Sequence, residues 1–477
     1  MFCHLVKQGG HKHIRALGPL SSGSLRTFCT SYSTSAKERV VILGSGWGGF
    51  NVLKRIDKQK YDVAMISPSS YFNMTPLLAE TAVGTLEFRA AIESLRNYSP
   101  AATIHEAWAD KIDLENKIVH CTPSTPPYGV VLSRHSLTSP NASAPGAPTA
   151  PQGQNPSYGT PYQVRYDKLV IAVGAYSQTF NIPGVKEYVH FLKNVRDARA
   201  IRMRILECFT QASQPNCTEA EKQKLMNFVI VGGGPTGVEF AAELHDLCQT
   251  DMRAHFPQLI SYVRITVYET SDKILGTFDE SLSRYATEKF KSDGIEVKSK
   301  HGVEEVKPVV PFGLCVWSTG LAANPLISSL TELRKDKRTG SLITDKKLRV
   351  VDDKTGKSLA HVWAIGDASV IEDDPLPATA QVASQKAMYL VKCLNKGKQA
   401  DGFKFHFRGS LAYVGDWKAV YDRSTAESGP QTKAKGRIAW LLWRSAYFSM
   451  AMSPRNMLNI PWYWFTNWIF GRDLARF

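Results

Sequence analysis

The chain has 477 residues, 43% of them hydrophobic and 21% charged, enough for two or three domains that each bury a core. It carries a formal net charge of +15 and holds no apolar run of the roughly 18 residues a spanning helix needs, which excludes a bundle of bilayer-crossing helices. The eight cysteines are scattered and form no C-x-x-C pair, so neither a zinc site nor a redox dithiol is signalled; no metal and no nucleic-acid partner is expected.

Residues 1–35 hold Lys7, Lys12, Arg15 and Arg26 without a single Asp or Glu. A basic, acid-free segment is drawn toward a negative-inside potential, so this stretch reads as a mitochondrial transit peptide, with the mature start near Ala36. From Arg39 to about Leu394 strand and helix patterns alternate, which predicts an α/β fold with parallel sheets. The apolar strand Arg39–Leu43 runs into Gly44-Ser45-Gly46-Trp47-Gly48-Gly49 and then a helical pattern. Gly44 permits a tight turn, Gly46 lets a pyrophosphate approach the backbone, and Gly49 packs helix on strand. Tyr61–Ile66 is the next strand, and Ser67 stands at its end where an acid is usual. Residues 122–163 are rich in Pro, Ser, Ala, Thr and Gly and read as a disordered surface insertion. A strand then resumes over Tyr166–Val173 and stops at Gly174.

A second cradle, Gly232-Gly233-Gly234-Pro235-Thr236-Gly237, follows the strand Phe228–Val231 and opens another helix, 188 residues after the first. Two such motifs, each between strand and helix, imply two dinucleotides, whose diphosphates rest on helix N-termini. By order the first holds a bound FAD and the second an exchangeable nicotinamide nucleotide. Glu269 ends the strand Val263–Tyr268; its carboxylate accepts from a ribose hydroxyl and repels a 2′-phosphate, so the second site prefers NADH. Gly174 and Gly320 mark the crossings between the two domains. His361–Ala368 ends a strand in Gly366-Asp367, where the carboxylate either bonds a ribityl hydroxyl of FAD or caps a helix.

Gln381 and Gln385 are i and i+4 on a helix that Pro377 can start. After Gly402 the tail carries Trp440, Trp443, Trp462, Trp464 and Trp468 interleaved with Arg444, Arg455 and Arg472. A broad apolar face rimmed by Trp and Arg suits a membrane headgroup region, or else a packing or dimer face.

The disulfide reductases share this layout, but between Gly49 and Ala91 there is no cysteine at all. Ile66-Ser67-Pro68, Tyr71-Phe72, Thr75-Pro76-Leu77-Leu78, Val83-Gly84-Thr85, Trp317–Gly320, Ala380–Gln385 and Phe470–Asp473 resemble the type II (alternative, non-proton-pumping) NADH:ubiquinone oxidoreductases of mitochondria. The resemblance runs from Arg39 to Phe477 and implies two Rossmann-like dinucleotide-binding domains of the FAD/NAD(P)-linked reductase type, plus a C-terminal membrane-anchoring region. It implies an FAD-binding domain over 36–195 and 340–401, an NADH-binding domain over 196–339, and a membrane-association or dimerisation region over 402–477. The FAD site would be built by Gly44, Gly46, Trp47, Gly49, Ser67, Thr75, Pro76, Leu77, Gly174, Gly366 and Asp367. The NADH site would use Gly232, Gly234, Pro235, Thr236, Gly237, Glu269 and Gly320. Glu239 would stand near the meeting point of nicotinamide and flavin, and Gln381 and Gln385 would donate to ubiquinone carbonyls at the surface of the mitochondrial inner membrane. A homodimer is a further expectation of the resemblance. One departure is the short stretch from Ile295 to Gly320, where the family has a longer meander. A flavoprotein that binds NADH to signal or scaffold, in the manner of apoptosis-inducing factor, is the alternative from another class.

Overall fold

Four consecutive aliphatic residues, Val40 to Leu43, sit fully buried at the centre of the larger sheet, in the strand Arg39–Leu43. A strand covered on both faces needs such an unbroken apolar run. The computed structural model describes residues 37–125, 159–302, 310–397, 401–427 and 429–475. Expectations for the presequence, for the middle of the insertion and for residues 303–309 of the short stretch from Ile295 to Gly320 lie outside the described residues.

Arg39–Leu43 pairs in parallel with Asp62–Ser67 on one side and Lys168–Ile171 on the other. Thr103–Asp113 and Ser358–Ala364 extend the parallel core outward, and five further strands complete a ten-stranded sheet. The second sheet has five parallel strands, in the order His190–Phe191, Leu314–Trp317, Asn227–Val231, Arg264–Glu269 and Glu296–Ser299. Two short antiparallel strands, Ala175–Ser177 and Leu321–Ala323, carry the chain across and back.

These strands move the domain limits read from sequence. The second sheet already begins at His190, not at 196. The chain has returned by Leu326, because Leu326, Ile327, Leu330 and Leu333 lie in the core of the larger sheet. The second domain therefore ends near Gly320 rather than at 339. The insertion also narrows: Thr122 and Pro123 belong to the strand Ile118–Pro123, which pairs with Tyr162–Arg165, so 122–163 is not irregular throughout. Composition hid this because each strand end contributes only two residues to the window.

The tail forms a three-stranded antiparallel sheet, Ser410–Gly415, Lys418–Asp422 and Lys433–Gly436, followed by the helices Arg437–Met450 and Pro454–Phe470. Among the described residues no helix is long and apolar enough to cross a membrane.

Candidate active site

In the larger sheet the carboxyl ends of four strands stop in register: Leu43 faces Ile66 and Ile171, and Ile171 faces Ala364. Gly44, Ser67, Gly174, Gly366 and Asp367 follow within three residues of those ends, in the crevice where open α/β sheets bind ligands. Gly44 has φ +95°, and a Cβ there would meet the Ala172 carbonyl oxygen at 2.4 Å. A Cβ on Gly49 would lie 1.9 Å from the Gly44 oxygen, so this glycine is demanded by packing. Gly46 differs: a Cβ there meets nothing within 4 Å. It faces open space at the start of the helix Trp47–Arg55, whose first turn holds no acidic side chain. Free N–H groups of a helix start, next to space that only a missing side chain leaves open, fit a dinucleotide diphosphate.

Ser67 donates its hydroxyl to the Ser45 Oγ at 2.8 Å, and Ser45 donates to the Tyr71 carbonyl at 3.1 Å, so the serine that replaces the usual acid braces the cradle loop. Trp47 Nε1 donates to Thr75 Oγ1 at 2.9 Å and ties the helix start to the turn Thr75–Leu77, in which Pro76 sits at an early position and Leu77 is buried. Burial raises the Asp367 carboxyl, while the ammonium groups of Lys193 and Lys386 pull it back. Both lysines are lowered by their own burial, Lys386 to about 8. Lys386 donates to the Ser369 carbonyl at 3.1 Å. Neither lysine was singled out from sequence; the one available signal was a lysine inside the apolar run of the Gln381–Gln385 helix.

The second cradle repeats the first. Gly232 has φ +110° and approaches Ser318, a Cβ on Gly237 would lie 2.0 Å from the Gly232 oxygen, and a Cβ on Gly234 meets nothing within 4 Å. Pro235 and Thr236 stand exposed at the start of the helix Pro235–Leu247. Burial pushes the Glu269 carboxyl up, but N–H groups of Ser271 and Gly233, the latter at 2.6 Å, hold it below the usual range. It is thus ionised at the mouth of the cradle. Gly320 takes φ +71° where the chain turns back, packed on Gln178.

The structure gives the other three site residues partners within the protein that the sequence does not announce. Gln381 Nε2 donates to the Gly409 carbonyl at 2.6 Å, and its Oε1 accepts from Arg408 N at 3.2 Å. Gln385 Nε2 donates to the His406 carbonyl at 2.9 Å, and its Oε1 accepts from His406 N at 3.0 Å. Each amide clamps the segment His406–Gly409, so one N–H per amide remains for a ligand. Their helix starts at Ala380, capped by the Thr379 hydroxyl rather than launched by Pro377. Glu239 is 6% exposed, and its Oε1 accepts from Trp443 Nε1 at 2.9 Å, Tyr413 N at 3.2 Å and the Tyr447 hydroxyl at 3.3 Å. Burial pushes its carboxyl up to about 7. All three donors come from the tail, a partnership no local motif announces.

The tail's aromatic and cationic groups divide in two. Trp443 is buried, and Trp440 and Trp464 pack against the core. Arg444 lies 3.9 Å from the centre of the Trp464 ring and 3.3 Å from Glu80, which also accepts from Trp464 Nε1 at 2.8 Å. Arg472 pairs with Asp251 at 2.7 Å and approaches Glu243 at 3.7 Å. Two of the three arginines read as a membrane rim are therefore spent inside. Trp462 and Trp468 remain outside, 61% and 67% exposed, with Leu458, Phe465 and Ile469 beside them.

Residues 38–387 match the family model described as pyridine nucleotide-disulphide oxidoreductase, and residues 407–473 match the model of the NDH2 C-terminal domain. A protein of Dictyostelium discoideum named probable NADH dehydrogenase is 36% identical over 455 residues, covering 92% of this chain and 91% of its own. An internal alternative NAD(P)H-ubiquinone oxidoreductase A1, mitochondrial, of Solanum tuberosum is 34% identical over 473 residues, covering 92% and 88%. The structure of NDH2 from Plasmodium falciparum in complex with NADH superposes with a TM-score of 0.78 at 26% identity, covering 92% of this chain and 100% of that one. With one model spanning both cradles, another spanning the tail, and relatives of this identity along nearly the full length, the chain belongs to the pyridine nucleotide-disulphide oxidoreductase family, in the branch that carries the NDH2 C-terminal domain.

Proposed function

We propose that this chain is a type II NADH:ubiquinone oxidoreductase, which oxidises NADH through non-covalent FAD and passes two electrons to ubiquinone without pumping protons. The observation that carries the reading is the pair of matching cradles, in which Gly46 and Gly234 alone open onto free space at a helix start. FAD, when bound, supplies the ring that takes the hydride from NADH and gives up the two electrons; the protein's part is placement. Gly46, Gly49 and the helix Trp47–Arg55 hold one diphosphate, with Asp367 toward the ribityl hydroxyls. Gly234, Gly237 and Glu269 hold the NADH diphosphate and ribose. Gln381 and Gln385 fix His406–Gly409 and present their remaining N–H groups to the quinone. Glu239, with a carboxyl near neutrality, holds a proton where the nucleotide domain meets the tail. The exposed stripe of the last helix rests on the mitochondrial inner membrane, where the quinone dissolves.

Stopped-flow mixing of the full-length flavoprotein with NADH should bleach the flavin rapidly, and a short-chain ubiquinone should restore it over repeated turnovers. Flavin that NADH reduces and quinone leaves reduced would instead favour the signalling flavoprotein. Gln381→Ala with Gln385→Ala is expected to leave bleaching by NADH intact and to lower quinone turnover at least tenfold, because the His406–Gly409 wall loses both clamps. Equal loss in both half-reactions would count against a quinone-side role.

Glu239 also makes stability pH-dependent. The folded state keeps its proton up to about 7, while an unfolded glutamate releases it near 4.5. Stability from this group is full below pH 4.5 and declines as pH rises to 7. Glu239→Gln keeps the accepting oxygen and adds no charge, so the decline between pH 5 and 7 should shrink by about one proton. A thermal midpoint series in pH that matches the wild type would assign that titration to Glu80 or Glu243.

A further inference from the structure

A cavity of about 450 Å³ opens where the last helix begins. Arg89, Asn97 and Tyr98 wall it from the larger domain, and Ser453 and Arg455 wall it from the tail. Its one carboxylate, Glu93, is 5% exposed and faces the protein: Oε1 accepts from Ser453 Oγ and Asn456 Nδ2 at 3.0 Å each and from Ser453 N at 3.1 Å. Arg89 and Arg455 are exposed and pair with no carboxylate among the described residues. Two arginines against one carboxylate leave the lining cationic, and the hydrogen bonds to Ser453 and Asn456 turn Glu93 toward the protein rather than toward a ligand.

Arg455 also heads a row. Leu458, Trp462, Phe465 and Ile469 follow it at helical spacing on one face, each at least half exposed. At ~1.5 Å per residue this apolar row runs for roughly 20 Å from the cavity. A ligand with a phosphate at one end and hydrocarbon at the other matches both parts, since guanidinium groups fork onto phosphate oxygens and the row covers the chains.

We propose that this cavity binds the phosphodiester headgroup of an anionic phospholipid, whose acyl chains leave along Leu458, Trp462, Phe465 and Ile469. The inference rests on the reading of that row as a membrane face. It gives the tail a fixed depth and heading on the bilayer that an apolar stripe alone does not set.

The test is flotation of the full-length holoenzyme with vesicles of phosphatidylcholine, alone or with about one-fifth phosphatidylglycerol, at physiological salt. The anionic lipid should tighten binding of the wild type, and R89A/R455A should lose about twentyfold of that gain. Binding of the double variant to neutral vesicles, and its NADH oxidation with a soluble quinone, should stay unchanged, which shows that it folds. R437A removes an exposed cation at the start of the preceding helix, outside the cavity, and should keep most of the gain. A loss in R437A as large as in R89A/R455A would overturn the site in favour of diffuse charge. Displacement from anionic vesicles by inorganic phosphate at about ten millimolar, beyond what matched ionic strength produces, would make it a free-anion site instead. Wild type that binds both vesicles equally would overturn the pocket alone; wild type that binds neither would overturn the membrane face and the pocket with it.

Discussion

Gly234→Ala is expected to yield a folded, yellow protein whose flavin NADH bleaches only at concentrations a hundredfold or more above those the wild type needs. Gly46→Ala is expected to yield a folded but colourless one. Both glycines have φ −72° with extended ψ, a conformation alanine adopts freely, and a methyl at either meets no atom of the protein within 4 Å. Neither substitution therefore costs the fold anything by strain or overlap. What the methyl fills is the space beside the helix start, and a diphosphate displaced from it loses two or more charge-assisted hydrogen bonds, at about 1.5–3 kcal/mol each. Gly49→Ala and Gly237→Ala supply the contrast, since their methyls would fall 1.9 and 2.0 Å from the carbonyl oxygens of Gly44 and Gly232. Those two should lower soluble yield before any binding is measured. The four variants are read by the flavin-to-protein absorbance ratio and by the NADH dependence of bleaching. Retention of FAD by Gly46→Ala, or wild-type bleaching by Gly234→Ala, would show that the diphosphates lie elsewhere.

The contrast also marks where sequence reading stops. Spacing identified all six glycines, because strand–turn–helix geometry is local and demands a missing Cβ at fixed intervals. Their separate roles, turn, ligand approach and packing, follow from the same spacing; what it does not show is which atoms enforce them, Ala172 against Gly44 and Ser318 against Gly232. The strands Arg39–Leu43 and Asn227–Val231 were legible for a similar reason: both faces are buried, so the apolar run is unbroken. Gly320 was legible as a crossing, but the domain limit was set at 339 because Pro325–Ser329 is a five-residue helix with no periodicity to show that the chain has already rejoined the larger sheet's core. The glutamine pair was found by a family pattern, but its clamp on His406–Gly409 was not legible, since the backbone that bonds both amides lies more than twenty residues downstream. Trp443 and Trp462 look alike in sequence. Only the fold turns one onto Glu239 and leaves the other exposed.

The substitution with the largest expected effect on stability is Arg472→Ala, near the C-terminus. Arg472 Nη1 lies 2.7 Å from Asp251 Oδ2, its Nη2 3.7 Å from Glu243 Oε2, its Nε donates to Thr85 Oγ1 at 3.0 Å, and its backbone N donates to Asp251 Oδ1 at 2.7 Å. One guanidinium thus joins the tail to the Pro235–Leu247 helix, to the turn that follows it and to the larger domain. Glu243 and Asp251 are 3% and 7% exposed. Removing their cation leaves the ionised Asp251 buried and uncompensated, and Glu243 with it wherever it ionises, which costs about 3–5 kcal/mol. The cost should depend on pH in a definite direction. Burial already pushes the Glu243 carboxyl well above its usual range, with Arg472 pulling it back, so without Arg472 it holds its proton to higher pH still. At pH 5 Glu243 is neutral in both proteins and the deficit comes from Asp251; at pH 8 the variant must bury a second charge or pay to keep the proton. Asp251 is held below the usual carboxylate range by Arg472 despite its burial, a stabilisation present above pH 4 and lost only under stronger acid. The thermal midpoint at a fixed scan rate should therefore fall by about 5 °C at pH 5 and further at pH 8. Glu243→Gln in the Arg472→Ala background should recover the extra loss at pH 8 and leave the loss at pH 5, because it removes the carboxylate that faces Arg472 and changes protonation between the two conditions. A deficit equal at both pH values, or one that Glu243→Gln leaves unchanged, would mean that Arg472 acts through its bonds to Thr85 and Asp251 alone.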